Sequence, residues 1–152
     1  MELTDQDRRL LALLQADAGR AVAELAEAAG MSASSCWRRL RALEDAGVIR
    51  GRVALCDAGA LGLGFAAIVH VSLTRHEAGE VAEFVRRMAA RAEVLACWAT
   101  SGEADYHLHV VAEDIAAYNA FLDGVLFPLP AVAQVRTNLI LRTVKAETAL
   151  PV

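Results

Sequence analysis

A chain of 152 residues holds one large domain or two small ones, and 56% hydrophobic residues supply enough apolar surface for a packed core, which argues against a disordered protein. The formal net charge of −4 argues against a general coat for nucleic acid and confines any such face to a local basic segment. Three cysteines, Cys36, Cys56 and Cys97, are odd in number, far apart and without C-x-x-C spacing, which fits a reducing cytoplasm and buried thiols better than a disulfide framework or a zinc site.

The first residues have neither a basic n-region nor an apolar h-region, so no signal peptide is expected. Thr4 followed by Asp7 reads as a helix N-cap with a carboxylate in the first turn. Leu10, Leu11 and Leu14 then form a helical stripe that ends near Ala16. Residues 17–20 form a turn, and 23–29 a second short helix burying Leu25, Ala26 and Ala29. No side chain between Arg20 and Glu24 offers an N-cap, which costs about 1 kcal/mol of local stability.

Gly30 and Met31 turn the chain into the stretch 32–47, around which the rest is organised. Ser32 can cap its start and Gly47 can close its end in a left-handed conformation. Cys36, Leu40 and Leu43 make one apolar stripe; Ser34, Arg38 and Arg41 repeat on the opposite side, with Ser35, Trp37 and Arg39 beside them. Such a helix suits phosphate and base-edge contact in a major groove, and equally describes a solvated amphipathic helix when taken alone. The two short helices and glycine-bearing turn before it make a helix-turn-helix. Residues 48–55 read as a strand or wing carrying Arg50 and Arg52. Between Ser32 and Leu55 five arginines stand against two acids, a balance of +3, so the rest of the chain is acidic. The candidate DNA-binding residues are Ser34, Ser35, Arg38, Arg39, Arg41, Arg50 and Arg52, with bracing of the domain as the alternative for Arg39.

Residues 56–64, rich in Gly and Ala, read as a linker between a first domain, 1–55, and a second, 65–152. Apolar runs here are too short and too glycine-rich for a membrane span. The second half alternates: a strand over 65–73 with Phe65, Ala67, Val69, Val71 and Leu73 on one face; a helix over 77–91 with Ala78, Val81, Val85 and Met88 inward; strands over 94–101 and 106–112; a helix over 114–126 with Ile115, Tyr118, Leu122 and Val125 inward; and a last strand over 132–141, set off by Pro128 and Pro130. The fold class is therefore α+β, an N-terminal winged helix-turn-helix followed by a ferredoxin-like βαββαβ domain. Its helix-free sheet face would carry Ala66, Ile68, Cys97, Ala99, Val111 and Ile140, too apolar to stay wet, so a homodimer joined through the sheets is expected.

The helix-turn-helix, the following Gly47, Val48 and Ile49, the run from Ser101 to Tyr106, the segment from Val135 to Asn138, and the ending with Val144, Lys145, Leu150 and Pro151 resemble the Lrp/AsnC (feast/famine) transcription regulators over nearly the whole chain. The resemblance implies a C-terminal ligand-sensing domain of RAM/AsnC type, dimers that assemble into octamers, double-stranded DNA as partner and a small effector, usually an amino acid. It places the effector loop at Ser101, Gly102, Glu103, Ala104, Asp105 and Tyr106. Gly102 permits a turn that presents backbone N–H groups to a carboxylate, and Asp105 suits an α-ammonium. The plain alternative is a β-hairpin turn with Asp105 bonded to its own backbone. The chain departs from the family where Arg52 and Val53 stand in place of the common Gly-Tyr.

His107 and His109 share a strand face, with His70 expected beside them; they read as packed interface histidines, with metal binding or pH sensing as the alternative. No catalytic pair, cofactor, metal site or phosphate-binding glycine loop is expected. An enzyme resembling the siroheme decarboxylases of related architecture is the alternative function, against which the basic helix argues.

Overall fold

The computed structural model describes residues 2–74 and 78–152, apart from the Ala78 side chain. The chain divides into two compact units, Met1–Leu55 with Lys145–Val152, and Cys56–Val144. Residues 145–152, counted by sequence with the second domain, thus group with the first. No helix among the described residues is long and apolar enough to cross a membrane.

The first unit holds α1 (Asp5–Ala16), α2 (Val22–Ala29) and α3 (Ala33–Asp45). Thr4 caps α1: its hydroxyl accepts from the Asp7 amide, while the Asp7 carboxylate accepts from the Thr4 amide. α2 begins at Val22, one residue earlier than expected. Ala21 supplies no capping oxygen, but Glu24 Oε2 accepts from the Ala21 amide at 3.2 Å and satisfies one orphan donor. Gly30 closes α2 at φ +69°, and the Met31 amide donates to Ala26 O. Leu10, Leu25, Leu40, Leu43 and Cys36 from the three helices meet in one buried cluster. Each such leucine contributes on the order of 2 kcal/mol of transfer free energy. Leu150 returns to this unit. Gln15 Nε2 donates to its carbonyl at 3.0 Å and Gln15 Oε1 accepts from its amide at 2.7 Å, so one side-chain amide satisfies both backbone groups of a residue 135 positions away. Residues 48–55, expected as a strand or wing, form no strand; Val53 and Leu55 are 80% and 75% exposed.

The second unit runs β1 (Phe65–Leu73), α4 (Ala78–Ala89), β2 (Val94–Ala99), β3 (Tyr106–Ala112), α5 (Ile115–Phe121), then β4 (Val132–Leu139). The sheet is antiparallel in the order β2-β3-β1-β4, the ferredoxin-like arrangement expected. α4 and α5 cover one face, where Val69, Val71, Phe84, Met88, Leu108 and Leu126 are fully buried. Phe65 stacks on Tyr118 at 4.7 Å between ring centroids.

Several inward assignments need correction. On α4 Phe84 and Met88 are buried and Val85 is 41% exposed; the larger ring takes the inward seat, and Val85 lies about 100° round the helix. Glu77 as helix start and Ala78 as an inward residue lie outside what the structure describes. Ile115 is 61% exposed, because as the first residue after the Asp114 cap it has no preceding turn to lean on. α5 passes into a π-helical turn at Leu122–Leu126, which turns Phe121, Val125 and Leu126 inward together. In β2 a bulge between Val94 and Ala96 reverses the alternation. Cys97 and Ala99 register with Leu108 and Tyr106 on the helix side, while Ala96 and Trp98 register with His109 and His107 on the open side.

Candidate functional site

The helix-turn-helix positions the basic residues through its core. Cys36, Leu40 and Leu43 are buried, so the opposite side of α3 is held outward. Ser32 Oγ accepts from the Ser35 amide at 3.2 Å and lies 3.2 Å from Ser34 Oγ, which fixes the first turn. Ser34, Arg38, Arg41, Arg50 and Arg52 are exposed, and Ser35 is half-buried. Arg38 and Arg50 form no ion pair with a described residue. Arg41 Nη1 lies 3.4 Å from Glu44 Oε2, and Arg52 Nη2 lies 3.1 Å from Glu44 Oε1. The Arg41 guanidinium also stands 5.7 Å from the centroid of the exposed Trp37 ring.

Arg39 differs from its neighbours. Its Nε lies 3.1 Å from Asp7 Oδ1, and its Nη2 donates to Thr4 Oγ1 at 2.9 Å. Asp7 is 3% exposed. Burial alone would raise its pKa; the hydroxyl and amide of Thr4, then Arg39, outweigh burial and hold the carboxyl below its ordinary range. Arg39 therefore braces α3 on α1, and its guanidinium is committed to that ion pair.

The loop from Ser101 to Asp105 joins β2 to β3. Ser101, Gly102 and Glu103 are exposed. Gly102 has φ +139°, and a Cβ there would meet nothing within 4 Å, so the backbone stands clear on that side. The Asp105 carboxylate is not free: Oδ2 accepts from the Leu73 amide at 2.7 Å. That amide sits at the register shift between Ser72 and Leu73, and the carboxylate serves as its partner. The bond runs to β1, not to the backbone of the loop as a plain hairpin turn would have it. Ala104 is buried, its carbonyl accepting from Thr100 Oγ1 at 3.0 Å. The Tyr106 ring packs 4.9 Å from Phe84 in the helix-side core. Of the six loop candidates, Ser101, Gly102 and Glu103 present a surface, Ala104 is buried, and Asp105 and Tyr106 are half-buried.

On the open sheet face His70 and His107 register across β1 and β3 with ring centroids 4.5 Å apart, as their spacing predicts. His70 Nε2 lies 3.1 Å from Asn138 Nδ2, and His107 Nδ1 lies 2.8 Å from Thr100 Oγ1. Burial, then the neighbouring His107 and Arg136, push the His70 pKa down against an upward pull from Glu103. Glu103 itself pairs with Arg136 at 2.9 Å. No group of three or more ligand side chains among the described residues is placed to hold a metal ion.

Sequence reasoning missed Glu44 and Arg136. The i, i+3 spacing of Arg41 and Glu44 was a signal for the first. The second depends on strand register, which no local spacing gives.

Comparison with known proteins agrees with both units. A family model for winged helix-turn-helix DNA-binding matches residues 3–50, and the Lrp/AsnC ligand binding domain model matches residues 66–150. The chain is 36% identical over 146 residues to the DNA-binding transcriptional activator DecR of Escherichia coli K12, covering 96% of each protein. It is 41% identical over 145 residues to the leucine-responsive regulatory protein of Rhizobium meliloti, covering 95% of this chain and 93% of that one. Among solved structures, a transcriptional regulator in complex with L-Met from Neisseria meningitidis superposes with a TM-score of 0.95 at 32% identity, covering 99% of this chain and 97% of the other.

Proposed function

This chain belongs to the Lrp/AsnC family of DNA-binding transcriptional regulators, and from that premise we propose how it binds DNA, what it senses and how it assembles. Its relatives regulate transcription, and the tetrapyrrole-enzyme alternative is set aside. α3 enters the major groove of double-stranded DNA. Ser34, Ser35, Arg38 and Arg41 meet phosphates and base edges, and Arg50 and Arg52 reach the flanking backbone. Arg39 is left out of this set because Asp7 already holds it. The observation that carries the reading is the division of α3 into a buried stripe and an exposed basic side.

The effector is an amino acid, in keeping with the L-Met complex of the Neisseria relative and the leucine response in the name of the Rhizobium one. Its carboxylate meets the backbone around Ser101 and Gly102. Asp105 supports the loop from behind through Leu73 and leaves one carboxylate oxygen for an ammonium. The protein works in the cytoplasm as a homodimer closed through the open sheet face, with dimers assembling further, as in an octamer. Ala66, Ile68, Trp98 and Val111 on that face support this, together with the mixed polar rim of His70, Asn138 and Arg136.

A thermal-shift screen against the twenty amino acids, repeated with a promoter duplex, tests the reading. One or a few amino acids should raise the melting midpoint and change duplex affinity. No shift with any of them would refute the effector assignment.

A further inference from the structure

Glu44 puts a negative charge in the middle of a face that meets phosphates, where it opposes binding to any duplex. Its geometry accounts for its presence. The carboxylate receives Arg41 on one oxygen and Arg52 on the other, at 3.4 and 3.1 Å. The two arginines are anchored unequally. Arg41 shares α3 with Glu44 and stands over Trp37. Arg52 lies in a segment with no strand pairing, and Glu44 is its ion-pair partner among the described residues. The chain is brought back past Glu44 by the turn at Gly47, where φ is +70°. There the amides of Val48 and Ile49 donate to Leu43 O, and Ile49 packs on the helical core. Together with Val22, Trp37 and Leu40, the three charged residues line a surface hollow of about 210 Å³.

We propose that Glu44 is a specificity-determining positioning residue, which fixes the heads of Arg41 and Arg52 as a pair so that the face selects a sequence at the expense of strength on any duplex. This rests on the DNA face proposed above. Without the carboxylate, two guanidiniums that repel each other swing apart, and each takes whatever phosphate is near. With it, both heads are placed before the duplex arrives: the planar fork of Arg41 reads a base edge only when correctly aimed, and Arg52 is held to one position on the flanking backbone, which fixes the register of that reading. The exposed Trp37 ring, 5.7 Å from the Arg41 guanidinium, gives that head a second contact.

The test uses the full chain. Selection from a random duplex pool by the parent protein gives a preferred sequence. Affinities for that duplex and a scrambled one of equal length are then measured for parent, Glu44→Gln, Glu44→Asp, Arg52→Ala and the Glu44→Gln, Arg52→Ala double variant. In Glu44→Gln the ratio of preferred to scrambled affinity should fall by roughly tenfold, with scrambled binding as strong as in the parent or stronger. Glu44→Asp, which keeps the charge, should retain more of the ratio. The double variant should discriminate no worse than Glu44→Gln alone, because Arg52 acts through the hold of Glu44. Arg52→Ala alters an exposed residue outside any element, and should lower the ratio with the melting midpoint unchanged. A ratio within threefold of the parent in both Glu44→Gln and Arg52→Ala overturns the role of Glu44 while leaving the DNA face standing. Failure of the parent to enrich any sequence overturns the face itself.

Discussion

Arg39 Nε reaches Asp7 Oδ1 at 3.1 Å and thereby fastens the helix that carries the basic face to the first helix of the chain. Removing the guanidinium leaves a buried carboxylate short of a partner. Arg39→Ala should therefore cost about 1–3 kcal/mol of stability, whereas Arg38→Ala, on the open side, should stay within about 0.5 kcal/mol of the parent. Urea unfolding at neutral pH distinguishes the two; equal midpoints would mean that the pair holds nothing together.

The same carboxyl sets an acid dependence. Its pKa is depressed in the folded chain, so its contribution is present above its unfolded value, about 4, and is lost as pH falls through the folded value. The stability gap between the parent and Asp7→Asn should be open at pH 7 and narrow below about pH 4. A gap that stays constant down to pH 3 would contradict the assignment.

The paired substitution Arg38→Ala, Arg41→Ala should weaken binding to the preferred duplex. It should also flatten the dependence of log affinity on log salt by about one unit for each phosphate that the protein no longer neutralises. Titration at a series of salt concentrations measures both. An unchanged slope in a folded variant would move the DNA face elsewhere.

For assembly, Ile68 is the informative position, since it lies on the central strand of the open sheet face between His109 and Asn138 in register. The parent should sediment as a dimer or larger species at micromolar concentration, and Ile68→Asp should shift it toward monomer. A parent that sediments as a monomer would remove the argument from the apolar sheet face.

Around the loop, two substitutions should act differently. Gly102→Trp combines a residue that dislikes φ +139° with bulk in open space, and should abolish the effector response while duplex binding without effector persists. Asp105→Ala should lose both the charge and the support of the Leu73 amide, lowering effector affinity and loosening the loop. Calorimetry with the amino acid found in the screen measures each. Parent-like effector affinity in Asp105→Ala would reduce the loop to a turn.

Apart from the strand or wing expected over 48–55, which is not formed, the order and type of the elements were legible because the apolar periods are long and clean, as in the alternation from Phe65 to Val71 or the stripe of Cys36, Leu40 and Leu43. The caps at Thr4 and Ser32, the turn at Gly30 and the left-handed closure at Gly47 were legible from local chemistry alone. What stayed hidden needed distant partners or a local irregularity. The bulge in β2 moved Cys97 and Ala99 off the face that simple alternation assigns them. The π-helical turn after Phe121 left no mark in the spacing. At the candidate sites, the arginines were recognisable as residue types. Their partners were not: a bracing role for Arg39 stood as an alternative, but nothing local named Asp7 as its partner or Glu44 as the shared partner of Arg41 and Arg52.

The clasp of Gln15 on Leu150 has a consequence for the order of biosynthesis. The first unit is discontinuous in sequence, and its second piece is translated only after all of Cys56–Val144 has been made. On a ribosome adding roughly 5–20 residues each second, the three helices emerge and pack first, with the Gln15 amide turned to water. It exchanges that water for Leu150 several seconds later, once the sheet unit has been completed. The bond is thus a late seal, made only by a chain translated past its second unit.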